Sequence, residues 1–430
     1  MIPMNIASRR NFVNLFALTC IQASNALIPL LIVPFVLSRI GAAAYAQIAV
    51  AEAVSMIAVA TVLFSFEVDG VARIAGLNPQ EDRATLSHAV SGIITTRLLL
   101  FLVVATVVMA GFCLLTDYSP FLLAFWLLVP LGQVFHSYWF YQGIETNLPP
   151  AIITLTSRAI SVAVALYTIR GPADQLLMPL AIGAPFAIAG LISLAYKCRF
   201  LHVRLEWVGF DEIIRLLRHG SRIFIGNAAV IMYREINVLL LEIAGVNVHG
   251  IAAYSLVEKT VKMLQACTRP LSQLFFPKLL TALREIDAPT PSAARTIARY
   301  TIPQLTVVTA VLAIAPITYL LVGPYWPWLA QFGRLPHVAA LLAIMAPATL
   351  FGLANFMYGS AGLNYLNARS YQLRSILITG VASAVLCTLL SHIFGVMAAG
   401  ACFIGAEAFL FVLVLGRYFG RQAKLERGAR

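Results

Sequence analysis

The chain has 430 residues, of which 60% are hydrophobic and only 11% are charged. In soluble proteins charged residues make up about a quarter, and the mean hydropathy here is +0.86. Composition therefore predicts a polytopic membrane protein. The net charge of +12 does not indicate nucleic-acid binding, because the basic residues fall between apolar spans and form no soluble basic face.

Cysteine and histidine spacing argues against a metal site. The six cysteines lie singly in or beside apolar runs with no C-x-x-C spacing, and no H-x-x-x-H pair places two of the seven histidines on one helical face. Such cysteines are typical of small core residues. We predict no disulfide, no metal and no other cofactor.

The N-terminal segment "SRRNFVN", residues 8–14, resembles a twin-arginine export signal. The apolar run behind it continues to Leu37, and no A-x-A site closes it. We therefore expect an uncleaved first membrane helix.

Runs of about 20 apolar residues predict twelve membrane helices. The predicted spans cover residues 11–38, 44–69, 89–115, 119–141, 150–169, 175–197, 220–243, 250–276, 299–321, 337–359, 371–394 and 396–417. Cytoplasmic loops retain Lys and Arg, and an N-terminus inside the cell places 21 of the 30 basic residues on that side and three on the other. Both termini are predicted to be cytoplasmic.

The longest connection contains "WVGFDEIIRLLRHG", which separates apolar from charged residues at helical spacing. We interpret residues 200–219 as an amphipathic linker helix on the cytoplasmic membrane surface, between an N-terminal six-helix lobe (1–199) and a C-terminal one (220–430). Cytoplasmic retention explains its basic residues, with recognition of lipid headgroups as the alternative.

The eighth predicted span carries a polar stripe. At 100° per residue, seven of its polar side chains lie within a sector of about 100°; they are Tyr254, Glu258, Lys262, Gln265, Arg269, Ser272 and Gln273, and Lys259 lies outside it. Basic residues facing lipid would cost about 2.5 to 3.5 kcal/mol each. They must pair, snorkel or line water: ion pairs with Glu235 and Glu258 are one alternative, and snorkelling or local pairing is another for Arg97 and Arg158.

The first two predicted spans also have polar faces. In the first span, Asn11, Asn14, Gln22, Asn25 and Pro29 share a sector of 80°, which suits a wet sugar-binding wall or, alternatively, hydrogen bonds between helices. In the second, Tyr45, Glu52 and Ser55 cluster similarly. Together these faces predict a central hydrated cavity between the lobes, basic on balance and suited to an anionic solute.

Three segments resemble the O-antigen and exopolysaccharide lipid flippases, the Wzx-type polysaccharide transporters of the multidrug/oligosaccharidyl-lipid/polysaccharide exporter superfamily. They are "PFVLSRIGAAAYAQIAVAEA" at residues 34–53, "WFYQGIE" at residues 139–145, and "AAYSLVEKTVKML" with the later "LSQLFFPKL" in the eighth predicted span. The resemblance implies an all-α polytopic membrane protein with twelve transmembrane helices in two six-helix lobes around a central cavity. It also implies a location in the bacterial inner membrane.

The resemblance further implies that an undecaprenyl-diphosphate-linked oligosaccharide is moved between leaflets by alternating access, without enzymatic chemistry. Lipids and that glycan are the expected partners, and a polysaccharide polymerase is a further candidate. On this hypothesis the substrate-binding residues are Arg234, Lys259, Lys262, Arg269, Asn25 and Gln22, and the candidate ion couplers are Glu52 and Glu258.

Two other classes compete with this hypothesis. A cation-coupled exporter of small molecules would share the architecture but would need an acidic or aromatic cavity, which the basic stripe does not favour. A membrane polymerase or ligase would need catalytic carboxylates or histidines in a large external loop. The longest external loop, near Val322 to Pro336, contains neither.

Overall fold

The computed structural model describes residues 6–285, 291–325 and 333–428. Within these ranges it describes the backbone alone for residues 6–12, 15, 25–30, 269, 270, 273, 291, 292, 319, 322, 324 and 419–428. Every regular element in the described ranges is a helix, so the predicted all-α class is confirmed. The chain forms two compact units, Met1–Ile231 and Met232–Arg430.

The first unit contains nine α-helices in the described part of the chain, the last of which runs on into the second unit. They are α1 (Ile6–Leu63), α2 (Phe66–Ile74), α3 (Arg83–Leu115), α4 (Pro120–Trp126), α5 (Leu128–Phe135), α6 (Tyr138–Gly143), α7 (Leu148–Thr168), α8 (Leu177–Phe200) and α9 (Phe210–Arg234). The fourth predicted span is thus broken into α4, α5 and α6. Its second break falls where Ser137 adopts a φ of 33°.

The second unit continues with α10 (Asn237–Ile243), α11 (Val248–Arg284), α12 (Pro291–Val322), α13 (Val338–Met345), α14 (Ala348–Asn355), α15 (Arg369–Phe394) and α16 (Val396–Gly428). A π-helix, Phe356–Leu363, follows α14 directly. The Tyr418 hydroxyl of α16 donates a 2.6 Å hydrogen bond to the Tyr358 carbonyl within it. The tenth predicted span thus consists of α13, α14 and this π-helix.

The first two predicted spans meet at Gly41, inside α1. Gly41 has φ 82° and ψ 168°, a backbone conformation that a residue with a Cβ adopts only with strain. The glycine therefore ends one helix and begins the next without an intervening loop. Sequence placed the junction between residues 38 and 44, which contains this position.

The predicted number of twelve spans is not confirmed. Among the described residues, nine helices are long and apolar enough to cross a membrane, or ten if the pair α9 and α10, bent by 56°, forms one span. Two causes are visible. The apolar segment Leu31–Ile74 runs through Gly41 and counts once, and α11 is absent from the nine because its charged residues lower its hydropathy.

In the structure, the segment predicted as a separate linker helix does not form a helix of its own. Residues 210–219 are the first turns of α9, continuous with the seventh predicted span. The middle of α9 packs within the first unit: Phe224 stacks on Phe64 with ring centroids 4.6 Å apart, and the Asn227 amide donates to the Phe64 carbonyl. The division between units accordingly falls at residues 231 and 232, inside this helix.

Glycines bring α5 and α8 into close contact in the first unit. A Cβ built on Gly190 of α8 would lie 2.5 Å from the carbonyl oxygen of Gly132, and one on Gly132 would lie 2.7 Å from the Phe186 ring. Small residues allow this approach between membrane helices, where packing replaces the hydrophobic effect as the driving force.

Substitution of Gly190 by Ala should separate α5 from α8. Overpacking of this kind costs about 1–3 kcal/mol, and here the clash is with backbone that cannot rotate away. The free energy of unfolding, measured in detergent, should fall by this amount. The matched control is Gly111→Ala in α3, where an added Cβ meets nothing within 4 Å; equal stability of the two variants would contradict the proposed contact.

Candidate functional site

An ionic network lies inside the second unit, where the end of α9 meets α11, α14 and α16. Its members are Arg234 at the end of α9, Glu235 in the bend before α10, Glu258, Lys262 and Gln265 of α11, Asn355 of α14 and Glu407 of α16. The bend arises where Asn237 begins α10 and its side-chain amide donates 3.0 Å to the Tyr233 carbonyl. That hydrogen bond satisfies a carbonyl at the end of α9 and helps define the bend.

Lys262 holds two carboxylates. Its Nζ lies 2.8 Å from Glu235 Oε2 and 3.3 Å from Glu258 Oε1, one helical turn before it on α11. The Lys262 side chain is 25% exposed and that of Glu235 is 29% exposed, whereas Glu258 is 5% exposed. The pair with Glu235 therefore lies on the open side of the network, and the pair with Glu258 lies on its buried side.

Arg234 occupies the other half of the network. Its guanidinium lies 3.5 Å from a carboxylate oxygen of the buried Glu407 and donates a hydrogen bond to Gln265 Oε1. The Asn355 amide donates 2.9 Å hydrogen bonds to both the side chain and the backbone carbonyl of Glu407. Glu407 is thereby fixed from two sides, which offsets part of the cost of placing a carboxylate in an apolar bundle.

The charge balance of these contacts differs from the expected basic cavity. Two cations, Arg234 and Lys262, meet three carboxylates, Glu235, Glu258 and Glu407. The ion pairs with Glu235 and Glu258 that the sequence left open as an alternative are therefore present for Lys262, whereas Arg234 pairs with Glu407. Glu407 and Asn355 were missed, because they lie far along the chain and no spacing rule connects them to α11.

Of the other predicted site residues, the structure gives the exposure of three. Lys259 is half-buried on α11, Gln22 is exposed on α1 and Glu52 is half-buried there. The side chains of Asn25 and Arg269 lie outside the described residues. The structure thus brings Lys262 and Arg234 together with Glu258 in the second unit, whereas Gln22 and Glu52 belong to the first unit.

One member of the predicted amide wall has a structural role. Asn14 donates to the Glu145 carbonyl over 2.6 Å and accepts from the Asn147 backbone N–H over 3.0 Å. These contacts tie α1 to the turn before α7. For Asn14, these contacts indicate a structural role.

Buried cations of the first unit are paired in the same way. Arg97 Nη2 lies 2.7 Å from Glu67 Oε1, and Nη1 donates to the Gln133 carbonyl over 3.2 Å. The Arg158 guanidinium stacks over the Phe186 ring at 4.8 Å. Local pairing of Arg97 is therefore preferred to snorkelling.

Lys197 was counted with the cytoplasmic loops, yet it is fully buried. Its Nζ donates a 3.1 Å hydrogen bond to the Phe135 carbonyl at the end of α5. Carbonyls at a helix C-terminus have no intrahelical partners and attract cations. Lys197 and Arg97 thus stabilise the end of α5 at the break in the fourth span.

The "WFYQGIE" motif is explained by packing. Trp139 and Tyr141 are fully buried, and Tyr141 donates to the Ser193 carbonyl of α8 over 3.1 Å. Added Cβ atoms on Gly70 and Gly143 would collide with Trp139 and Ile74, respectively. The motif fastens α6 to α2 and α8.

Comparison with known structures defines the class of fold. A multidrug resistance MATE family transporter of the MOP superfamily, solved in an inward-facing conformation, covers 100% of this chain with a TM-score of 0.59 at 11% identity, over 98% of its own length. The eukaryotic MATE transporter AtDTX14 gives the same TM-score over 98% of this chain and 99% of its own, at 13% identity. At these identities the likeness establishes the transporter fold alone.

Sequence comparison establishes the family. The profile of the family described as "Polysaccharide biosynthesis protein" matches residues 12–281, and the chain belongs to that family. Candidate O-antigen transporters of Escherichia coli (strain K12) and Shigella dysenteriae are 21% and 23% identical over 63% and 62% of this chain. The matches span 65% and 66% of those relatives' own lengths.

Replacing Glu407 by Ala should leave the Arg234 guanidinium without its carboxylate partner. Breaking a buried pair by removing one partner costs about 3–5 kcal/mol, and the partial exposure of Arg234 should place the loss near the lower limit. Unfolding in detergent would measure it, with Glu81→Ala on the surface as control.

The double variant Arg234→Gln with Glu407→Gln should recover part of that stability, because neither charge is then stranded. If the double variant were as unstable as Glu407→Ala, the two residues would not act as a pair.

Proposed function

We propose that this protein is a flippase that moves an undecaprenyl-diphosphate-linked oligosaccharide across the bacterial inner membrane for O-antigen or exopolysaccharide synthesis. Family membership and the candidate O-antigen transporters among its relatives support a role in polysaccharide transport. The observation that carries the finer proposal is the pair of cations Arg234 and Lys262, each 25% exposed, inside an apolar helical bundle.

The network offers a chemical route for an anionic headgroup. Guanidinium and ammonium groups donate strong hydrogen bonds to phosphate oxygens. Glu235, the more exposed carboxylate partner of Lys262, is the one that a diphosphate can displace. Glu258 and Glu407 remain buried and keep the cations positioned while no substrate is bound.

Displacement of Glu235 by the headgroup also allows the headgroup to be released. A diphosphate replaces one carboxylate on the open side, so the cations are never left without a counter-charge in the membrane. Glu235 competes with the headgroup and returns when it leaves. The glycan needs a wet path for its hydroxyls, and the polyprenyl tail can remain in lipid, so transport by alternating access involves no covalent change.

In the cell we expect both termini on the cytoplasmic side, as the distribution of Lys and Arg predicts. Asn25, Gln22, Lys259 and Arg269 remain proposed contacts to substrate. A polysaccharide polymerase remains a proposed partner, since it would receive the translocated repeat units.

The network has three carboxylates and two cations. This excess of negative charge supports a second candidate, an exporter of cationic small molecules like the multidrug transporters that share this fold. However, two of the three carboxylates of the network are buried behind the cations. A deletion strain distinguishes the candidates: hypersensitivity to cationic drugs with normal surface glycan supports the exporter, and loss of glycan with normal drug tolerance supports the flippase.

Substitution of Lys262 or Arg234 by Ala should stop surface polysaccharide assembly and leave lipid-linked units on the cytoplasmic side. The reason is loss of a hydrogen-bond donor to the diphosphate. Surface glycan and the leaflet position of the lipid-linked units are the readouts, with protein abundance checked. Arg170→Ala, in an exposed loop, is the matched control. Normal export in both variants would remove these cations from the site.

If a carboxylate couples transport to protons, Glu258→Gln or Glu52→Gln should abolish the response to an imposed pH gradient. Glu258 contacts Lys262, so loss of its negative charge weakens the hold on that ammonium. Translocation in proteoliposomes with and without the gradient is the measurement, and Glu81→Gln is the control. A residue whose Gln variant responds like the wild type is not the coupler.

A further inference from the structure

The segment between α8 and α9 is fixed to the start of α3. The Ser87 hydroxyl accepts a 3.0 Å hydrogen bond from the Arg204 backbone N–H. Ser91 Oγ accepts 2.9 Å from the Glu206 backbone N–H and donates to the Arg204 carbonyl. Val203 and Val208 are buried on either side of these contacts. The fold therefore determines which side chains of the segment point outward.

Large apolar side chains point outward from this fixed backbone. Trp207 is 96% exposed, and Phe200, Leu205 and Phe210 are each more than half exposed. We call Phe200–Phe210 the aromatic loop. Exposed apolar groups are ordinary along helices that face lipid, but Leu205 and Trp207 lie between the end of α8 and the start of α9, where hydrocarbon no longer covers the chain.

The position of the aromatic loop identifies what covers it. Both α8 and the bent pair of α9 and α10 are apolar enough to cross a membrane, so the loop between them lies at a membrane surface. Trp is enriched at that depth because its ring is apolar and its indole N–H is polar. A headgroup layer is the environment that satisfies both properties.

The charges around the loop favour anionic headgroups. Between Arg199 and Arg222 the chain has five arginines and three acidic residues, and Arg199, Arg204, Arg215, Arg218 and Arg222 are all exposed. One of the acidic residues, Glu212, forms ion pairs with Arg73 and Arg215. Arg199 and Arg204 have exposed guanidinium groups close in sequence to Trp207, and an arginine fork can donate two hydrogen bonds to one phosphate.

We propose that the aromatic loop is a binding site for anionic phospholipid headgroups, with Trp207 inserted at headgroup depth and Arg199 and Arg204 holding the lipid phosphates. This goes beyond the amphipathic pattern of the sequence. The apolar residues Ile213 and Leu216 of the predicted linker are buried, with Leu216 beside Gly92 of α3, and the most exposed large apolar side chains of the segment are those of the aromatic loop. The proposal is independent of the transported substrate.

Insertion is tested by fluorescence in nanodiscs of phosphatidylcholine with 30% phosphatidylglycerol, using lipids brominated near the headgroup. The difference between the wild type and Trp207→Phe isolates the signal of Trp207. We expect brominated lipid to quench that signal at least twice as strongly as aqueous iodide does. Strong iodide quenching with no effect of brominated lipid would place Trp207 in water and overturn the proposal in favour of a soluble partner.

Lipid preference is tested by the phosphatidylglycerol retained per protein after detergent extraction. The double variant Arg199→Gln and Arg204→Gln should lose retention, by about fivefold per arginine. The matched control is Arg170→Gln, in the exposed loop after α7 beside the exposed Tyr167. Equal retention in the wild type and the double variant, or an equal loss in the control, would overturn the assignment to this loop. Size-exclusion profiles verify that the variants fold.

Discussion

Charges inside an apolar helical bundle need local polar partners, and the cations described above meet this constraint in both units. Arg97 is held by Glu67 in the first unit, and Lys262 and Arg234 are held by Glu235, Glu258 and Glu407 in the second. Three of these pairs, Arg97–Glu67, Lys262–Glu235 and Arg234–Glu407, join different segments of the chain, whereas Lys262–Glu258 lies within α11. The ion pairs therefore specify which helices are neighbours, in addition to offsetting the cost of the charges themselves.

Broken helices take part in the same neutralisation. Where α5 ends, its last carbonyls have no partners within the helix, and Arg97 and Lys197 donate to them. The cations need acceptors and the carbonyls need donors, so one break satisfies both. The interruption of the fourth span is thus compatible with a membrane, because its freed carbonyls have donors within the protein.

Much of the fold was predictable because its causes are local. Hydropathy located the helical segments, and the 100° period placed Glu258, Lys262 and Gln265 on one face of α11, where the structure finds their contacts. Glu407 could not be predicted, since a single carboxylate in an apolar run of α16 has no pattern of its own. The site is completed by a helix more than 100 residues further along the chain.

The differences between the sequence pattern and the structure have physical reasons as well. Ile213, on the apolar face from which the linker was predicted, is buried within the first unit, so amphipathicity alone could not distinguish lipid from protein as its partner. Hydropathy also gave no sign that α9 runs without interruption from residue 210 to 234. Continuity of a helix depends on backbone hydrogen bonds, and an apolar average does not record them.

The π-helix at Phe356–Leu363 has a mechanical consequence. Its hydrogen bonds run from residue i to i+5, one residue wider than in an α-helix. Rewinding it to α geometry would turn the segment beyond Leu363 by about 100°, the rotation of one residue in an α-helix. The preceding turn stays fixed, because Asn355 is bonded to Glu407. A rotation could thus begin immediately beyond the ionic network while the network itself remains intact.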